Sequence, residues 1–138
     1  MASIHLETLI DTPPEAALDA IRDVSQIHVR LAPGVLANTE MEPDGGARIV
    51  TFRDGRVVRE PILDVDDGRR RASWSLETER LSFYCASLQV FDAGAGKTRA
   101  VWIADFLPHT AKEVLSSLIA GNLAAIKAHL ESVATATV

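Results

Sequence analysis

Hydrophobic and polar residues alternate along "SIHLETLID" (3–11), with Ile4, Leu6, Thr8 and Ile10 on one side and His5, Glu7 and Leu9 on the other. Side chains of a strand point to alternate faces, so this period of two predicts a β-strand. In "DTPPEAALDAIRDV" the period lengthens, and Ala17, Leu18 and Ile21 make the apolar face of a short helix ending near Ser25. Thr12 as N-cap, Pro13 at the first helical position and Glu15 two residues on read as a capping box for the open N–H groups of the first turn. A second short helix, "SQIHVRLA", stops at Pro33-Gly34.

Six strand-like runs follow: "VLANTEME", "ARIVTFR", "RVVREPILDV", "RRASWSLE", "LSFYCASLQVF" and "TRAVWIADFL". Their separators are short and turn-rich, which predicts an antiparallel meander. Asp54-Gly55 predicts a two-residue type I′ hairpin, whose central residues both need positive φ. The final segment, "HTAKEVLSSLIAGNLAAIKAHLESV", opens with Thr110 and Glu113 as a second capping box. It then repeats Val114, Leu115, Leu118, Ile119, Asn122, Ile126, His129 or Leu130, and Val133 at helical spacing. That predicts one helix about 36 Å long at the standard rise. The tail "TATV" (135–138) is expected to fray.

The order β-α-α-β6-α predicts an α+β fold in which a curved seven-stranded antiparallel sheet wraps around a long C-terminal helix. Two short helices cannot cover the apolar face of such a sheet, so the long helix must lie across it. A sheet bent around a helix leaves space between the two, where ligands go.

With 138 residues, 47% hydrophobic and 24% charged, the chain reads as one domain, 1–138. A net charge of −5 argues against a nucleic-acid partner, and Arg69-Arg70-Arg71 reads as a solvated turn. Cys85 is the only cysteine, which excludes an internal disulfide and fits a reducing compartment. Without a partner histidine nearby it reads as a buried small hydrophobe, not a nucleophile. No signal peptide or membrane-spanning run is evident, so a soluble, cytoplasmic protein is expected. His5, His28, His109 and His129 lack any ligand spacing, so no metal and no cofactor are expected. "GAGKT" (94–98) has Phe91 where a phosphate loop needs its first glycine, and "DVDDG" (64–68) lacks the length of a calcium loop; both read as turns.

Four pieces carry a resemblance over nearly the whole chain: "IDTPPEAALDAI", "REPILDVDDGRRRASWSL", "YCASLQVF", and "VWIADFLP" leading into the terminal helix. In this order they resemble the START-like, helix-grip superfamily, and within it the polyketide cyclase/dehydrase and lipid transport (SRPBCC) proteins. The resemblance implies the helix-grip fold and a ligand cavity. The plant abscisic-acid receptors and pollen allergens share that fold, and the receptors' cavity glutamate, cavity tyrosine and helix asparagine fall on Glu60, Tyr84 and Asn122. The receptors' long gating loop and buried lysine have no counterpart here.

Within "VVREPIL" (57–63), either Arg59 or Glu60 must face the interior, and periodicity alone leaves both open. Pro61 adds to this, because a bulge there would reverse the parity beyond it. The resemblance puts Glu60 inward, with Val58 and Ile62. A buried carboxylate must be hydrated, paired or protonated, and its candidate partners are Arg59, Arg48 and His28. The matching face of the neighbouring strands carries Ala72, Trp74 and Leu76; Tyr84, Ala86, Leu88 and Val90; and Ala100, Trp102, Ala104 and Phe106. The expected ligand contacts are therefore Val58, Glu60, Ile62, Trp74, Leu76, Tyr84, Ala86, Leu88, Trp102, Val114, Leu118 and Asn122. Glu60 and Tyr84 are the candidates for proton transfer. Gly121, costly inside a helix, points to close packing or ligand approach, and Asp105 to a backbone contact near its strand end.

These readings favour a binding module for a small hydrophobic or amphipathic molecule: a lipid, isoprenoid, polyketide or aromatic metabolite. The alternative is an aromatase/cyclase- or dehydratase-like enzyme using the same cavity. A weaker third is an interaction protein. The expected partner is the ligand itself, and a homodimer stays open.

Overall fold

The computed structural model describes residues 2–136. Its strands are β1 (Ala2–Ile10), β2 (Leu36–Met41), β3 (Ala47–Phe52), β4 (Val57–Asp66), β5 (Arg71–Ser75), β6 (Phe83–Gly94) and β7 (Lys97–Leu107). They form one seven-stranded antiparallel sheet in the order β1-β7-β6-β5-β4-β3-β2. Helices α1 (Pro14–Arg22) and α2 (Ile27–Arg30) join the two edge strands, and α3 (Lys112–Ala136) ends the described chain. The expected β-α-α-β6-α, helix-grip arrangement is observed. Helix α3 reaches Ala136, so Thr135 is helical rather than frayed; the last two residues of the "TATV" tail lie outside the described residues.

The core sits between the concave sheet face and the helices. Inward positions of β6 and β7 are almost wholly buried, including Ala86, Leu88, Val90, Ala104 and Phe106, and from α3 they meet Ile119, Leu123, Ile126 and Leu130. Fully burying a side chain of Leu or Phe size stabilises by about 1.5–3 kcal/mol, so this band supplies much of the driving force. Among the described residues no helix is long and apolar enough to cross a membrane.

Several local expectations are corrected. Neither capping box forms. Pro14 excludes the α conformation from the residue before it, so Pro13 (φ −64°, ψ 148°) is the N-cap and its carbonyl accepts from the Ala16 and Ala17 N–H groups. The Thr12 carbonyl instead accepts a 2.7 Å bond from the buried Thr98 hydroxyl. At the other end Thr110 lies within a 3-10 turn, His109–Ala111, entered from an extended Pro108. A Cβ built on Gly121 would meet nothing within 4 Å, so no close approach explains that glycine.

The hairpin between β3 and β4 differs from expectation in a way that matters for the site. Arg48 pairs with Glu60 and Thr51 with Val57, while the Phe52 N–H bonds to the Arg56 carbonyl. The loop therefore holds three residues, Arg53, Asp54 and Gly55, and only Gly55 takes positive φ (95°). A turn followed by one left-handed glycine is the usual three-residue hairpin solution. Pro61 causes no bulge. It is the last β4 residue paired with β3, the pairing with β5 begins at Ile62, and the irregularity falls beyond it, between Ile62 and Asp64.

Candidate functional site: a cavity between sheet and terminal helix

Helix α3 is fastened at its C-terminal half. Lys127 Nζ donates to the Leu9 carbonyl at 2.7 Å and to Glu131 at 2.7 Å, and Glu131 accepts the Asp11 N–H at 2.9 Å. These bonds, that of Lys127 foremost, hold the Glu131 carboxyl below its ordinary range. Among the described residues no such ties are found toward the N-terminal half, where Val114 and Leu118 remain 62% and 41% exposed although they are apolar. There the sheet, the α1–α2 segment and α3 enclose a cavity of about 330 Å³.

Its walls follow from strand parity. β3 contributes Arg48, Val50 and Phe52, and β4 contributes Val58, Glu60 and Ile62. Trp74 of β5, Tyr84 and Leu88 of β6 and Trp102 of β7 form the floor. Ile21, Val24, Ile27 and Leu31 close one side, and α3 supplies Val114, Leu115, Leu118, Ile119, Asn122 and Ile126. Leu76, Thr78, Arg80 and Leu81, from the segment joining β5 and β6, complete the lining with Arg56. The indoles of Trp74 and Trp102 meet edge to face, 5.1 Å apart at 84°, a favoured aromatic geometry.

The polar feature of this wall is an ion pair. Arg48 Nε donates to Glu60 Oε1 at 2.8 Å, and the two side chains are only 6% and 9% exposed. Arg48 also donates through Nη1 to the Val24 carbonyl at 3.2 Å and lies over the Trp74 ring, 5.6 Å from its centroid. It thereby ties the α1–α2 segment to the sheet. Burial pushes the Glu60 carboxyl above its ordinary value, and Arg48 opposes that rise through charge and hydrogen bonding. Burial also raises the Tyr84 phenol; the neighbouring Trp102 works against this, and the Glu60 charge adds to it.

Glu60 thus faces inward and Arg59 outward. Arg59 bonds Glu42 through Nε and Nη2 at 2.9 and 2.7 Å, and Glu77 through Nη1 at 2.7 Å. That network explains a charge between Val57 and Leu63, which are themselves 63% and 52% exposed despite their apolar pattern. Of the three candidate partners for Glu60, Arg48 is the one used. His28 does not line the cavity, and its Nδ1 is buried without a partner.

Of the positions expected to contact ligand, all but one line the cavity. Ala86 is buried in the sheet between its cross-strand neighbours Trp74 and Ala104 and does not line the void. Cys85 is half-buried on the outer face rather than fully buried, and Asp105 accepts from the Ser3 hydroxyl rather than from backbone. Sequence reasoning offered Arg48 as one of three partners for Glu60, and only the β3–β4 register selects it. It left out the lining from the α1–α2 segment (Ile21, Val24, Ile27, Leu31) and from the β5–β6 connection (Thr78, Arg80, Leu81), about which strand parity says nothing. Among the described residues no group of three or more His, Cys, Asp or Glu could hold a metal ion.

A family model described as polyketide cyclase/dehydrase and lipid transport matches residues 1–134. No curated protein matches the sequence. Among solved structures, the protein XoxI from Bacillus cereus is similar with a TM-score of 0.82 at 18% identity, covering 96% of this chain and 95% of that one. One half of the di-domain aromatase/cyclase BexL, from the BE-7585A biosynthetic pathway, is similar at 0.83 and 14% identity, covering 95% of this chain and 47% of that one. Norcoclaurine synthase from Thalictrum flavum follows at 0.74 and 19%, covering 97% and 86%. At these identities the likeness is one of fold.

Proposed function

The chain belongs to the polyketide cyclase/dehydrase and lipid transport family, and from that premise we propose that it binds a small hydrophobic or amphipathic molecule between the sheet and α3. Isoprenoids, polyketides, lipids and aromatic metabolites are the classes this reading admits. The observation that carries it is the cavity of about 330 Å³, walled by aliphatic and aromatic side chains and holding one buried ion pair. Such a hollow gains affinity from apolar area at roughly 25 cal/mol per Å² removed from water, while its few polar groups fix orientation.

Native mass spectrometry of protein purified without added ligand tests the reading. A co-purified mass that is released on unfolding is the expected result. Ile62→Trp, which fills the hollow from β4, should abolish its uptake. Full occupancy of that variant by the same mass would refute the cavity as the binding place.

A second reading, acid–base chemistry of the cyclase or dehydratase kind, draws on the raised Glu60 carboxyl and on Tyr84 in the same hollow. Binding is favoured over it because Arg48 already engages Glu60 and the phenol is displaced away from neutrality, where proton exchange is most effective. Glu60→Gln separates the two: an enzyme loses turnover but keeps uptake of its ligand.

A further inference from the structure

Three buried side-chain polar atoms among the described residues have no hydrogen-bond partner: His28 Nδ1, Thr39 Oγ1 and Trp102 Nε1. Only Trp102 lines the cavity. Its side chain sits on a central strand, opposite Leu6 and Leu88, in a residue only 7% exposed. An indole nitrogen can only donate. Leaving such a donor unpaired in an apolar wall is unfavourable, and buried polar groups are normally satisfied, so the exception points to an acceptor that enters with a ligand. The Tyr84 hydroxyl stands beside it, near enough for each to influence the other, yet the two do not meet hydrogen-bonding geometry. The wall therefore offers two neighbouring donors, and the phenol oxygen, the acceptor beside the indole, does not reach it in bonding geometry.

Charge and size narrow the ligand further. The charged side chains buried in the wall, Arg48 and Glu60, already neutralise each other. An anion would compete with Glu60 for Arg48, and a cation with Arg48 for Glu60; either leaves a buried charge uncompensated. A volume near 330 Å³ corresponds to about eleven water-sized portions at ~30 Å³ each, the low end for ligand pockets. That suits a compact ligand of one or two fused rings better than a two-chain lipid.

We propose that the site is built for a compact, neutral carbonyl compound whose oxygen accepts hydrogen bonds from Trp102 Nε1 and the Tyr84 hydroxyl. This rests on the cavity being a binding site, and it narrows the ligand classes admitted above to one. A carbonyl oxygen has two lone pairs and can take both donors at once. The rings then lie against the Trp74–Trp102 pair, and the Arg48–Glu60 pair stays intact.

Three naphthalenes of matched shape test it by titration calorimetry and by 15N-resolved spectra of the indole N–H groups. The probes are 2-acetonaphthone, 2-ethylnaphthalene and 2-naphthoate. The ketone should bind roughly three- to tenfold more tightly than the hydrocarbon, the range of one neutral hydrogen bond, and should shift the Trp102 N–H signal downfield. Trp102→Phe keeps an aromatic ring and removes the donor, so it should bring the ratio of ketone to hydrocarbon affinity to unity, whatever loss the smaller ring imposes on both. Tyr84→Phe should reduce it in part, and serves if Trp102→Phe does not fold. The carboxylate should bind most weakly. Equal binding of ketone and hydrocarbon to wild-type protein overturns the carbonyl subsite while leaving the cavity reading intact. Tightest binding by the carboxylate overturns the neutral class. Failure of all three probes to bind overturns the cavity reading together with it.

Discussion

Removing the Glu60 charge tests the buried pair most directly. In Glu60→Gln the shape is kept and the amide oxygen can still accept from Arg48 Nε, but the guanidinium, in a side chain 6% exposed, loses its counter-charge. Breaking a buried pair from one side can cost about 3–5 kcal/mol. Burial, however, already raises the Glu60 carboxyl against the pull of Arg48, and the hydrogen bond is kept, so this variant should cost no more than about 1 kcal/mol. For a chain of this size that is a fall in Tm of at most about 4 °C, whereas Arg48→Met, which strands the carboxyl, should cost more at neutral pH. Arg48→Met should cost less at low pH than at high pH, because the stranded carboxyl can take up a proton while a guanidinium cannot release one. The double variant Glu60→Leu with Arg48→Met should lie close to wild type, since apolar replacement of a whole buried pair is commonly neutral or stabilising. Urea denaturation followed by Trp fluorescence gives these stabilities at each pH, with Glu60→Leu alone completing the double-mutant cycle. If the two single-site costs simply add, with a coupling below about 0.5 kcal/mol, the pair does not act as a unit and the reasoning is refuted.

Further outcomes follow from the same contacts. The Glu60 carboxyl is raised in the folded state, so the folded protein binds the extra proton; its contribution is full below the ordinary carboxyl value and declines as pH rises through the folded value. Denaturation midpoints across that window should show the downward slope in wild type, and the slope should flatten in Glu60→Gln. Glu131 has the opposite sign: its carboxyl is lowered, so its contribution is present above the ordinary value and lost as pH falls through the folded value. Glu131→Gln should therefore speed hydrogen exchange at the Asp11 amide, and unchanged exchange would count against the α3 anchor. Arg59→Met should shift the midpoint far less than Arg48→Met, with the shift vanishing in 1 M salt, because Arg59 is paired at the surface. Gly121→Ala has open space and should stabilise by about 0.5–1 kcal/mol in the same urea assay.

Much of the architecture was legible because it rests on local signals. One-for-one alternation marked the strands, short turn-rich separators set the antiparallel order, and a long 3–4 repeat marked α3. Most of the cavity wall followed from parity, once Glu60 was turned inward by the family resemblance. What was not legible depends on geometry between elements. Asp54-Gly55 fits a two-residue or a three-residue loop equally well, and one residue of difference decides whether Arg48 shares a face with Glu60. Val114 and Leu118 repeat with Ile119 and Ile126 in sequence, yet only the latter two are buried, because periodicity carries no information on where a helix leaves its sheet. The first capping box failed for a nearer reason: consecutive prolines override the preference of Thr12.

The three-residue loop at Arg53–Gly55 gives an insertion or deletion more leverage here than a point substitution. Shortening that tip by one position, with β4 held in place, would rotate the whole of β3 inside out: Ile49 and Thr51 would enter the hollow while Arg48 and Val50 turned to the outside. A single codon lost at a solvent-facing tip would thus take Arg48 out of the wall and strand the Glu60 acid there. Among descendants of this gene, tip length rather than residue identity is the variable that should track a change in the lining of this hollow.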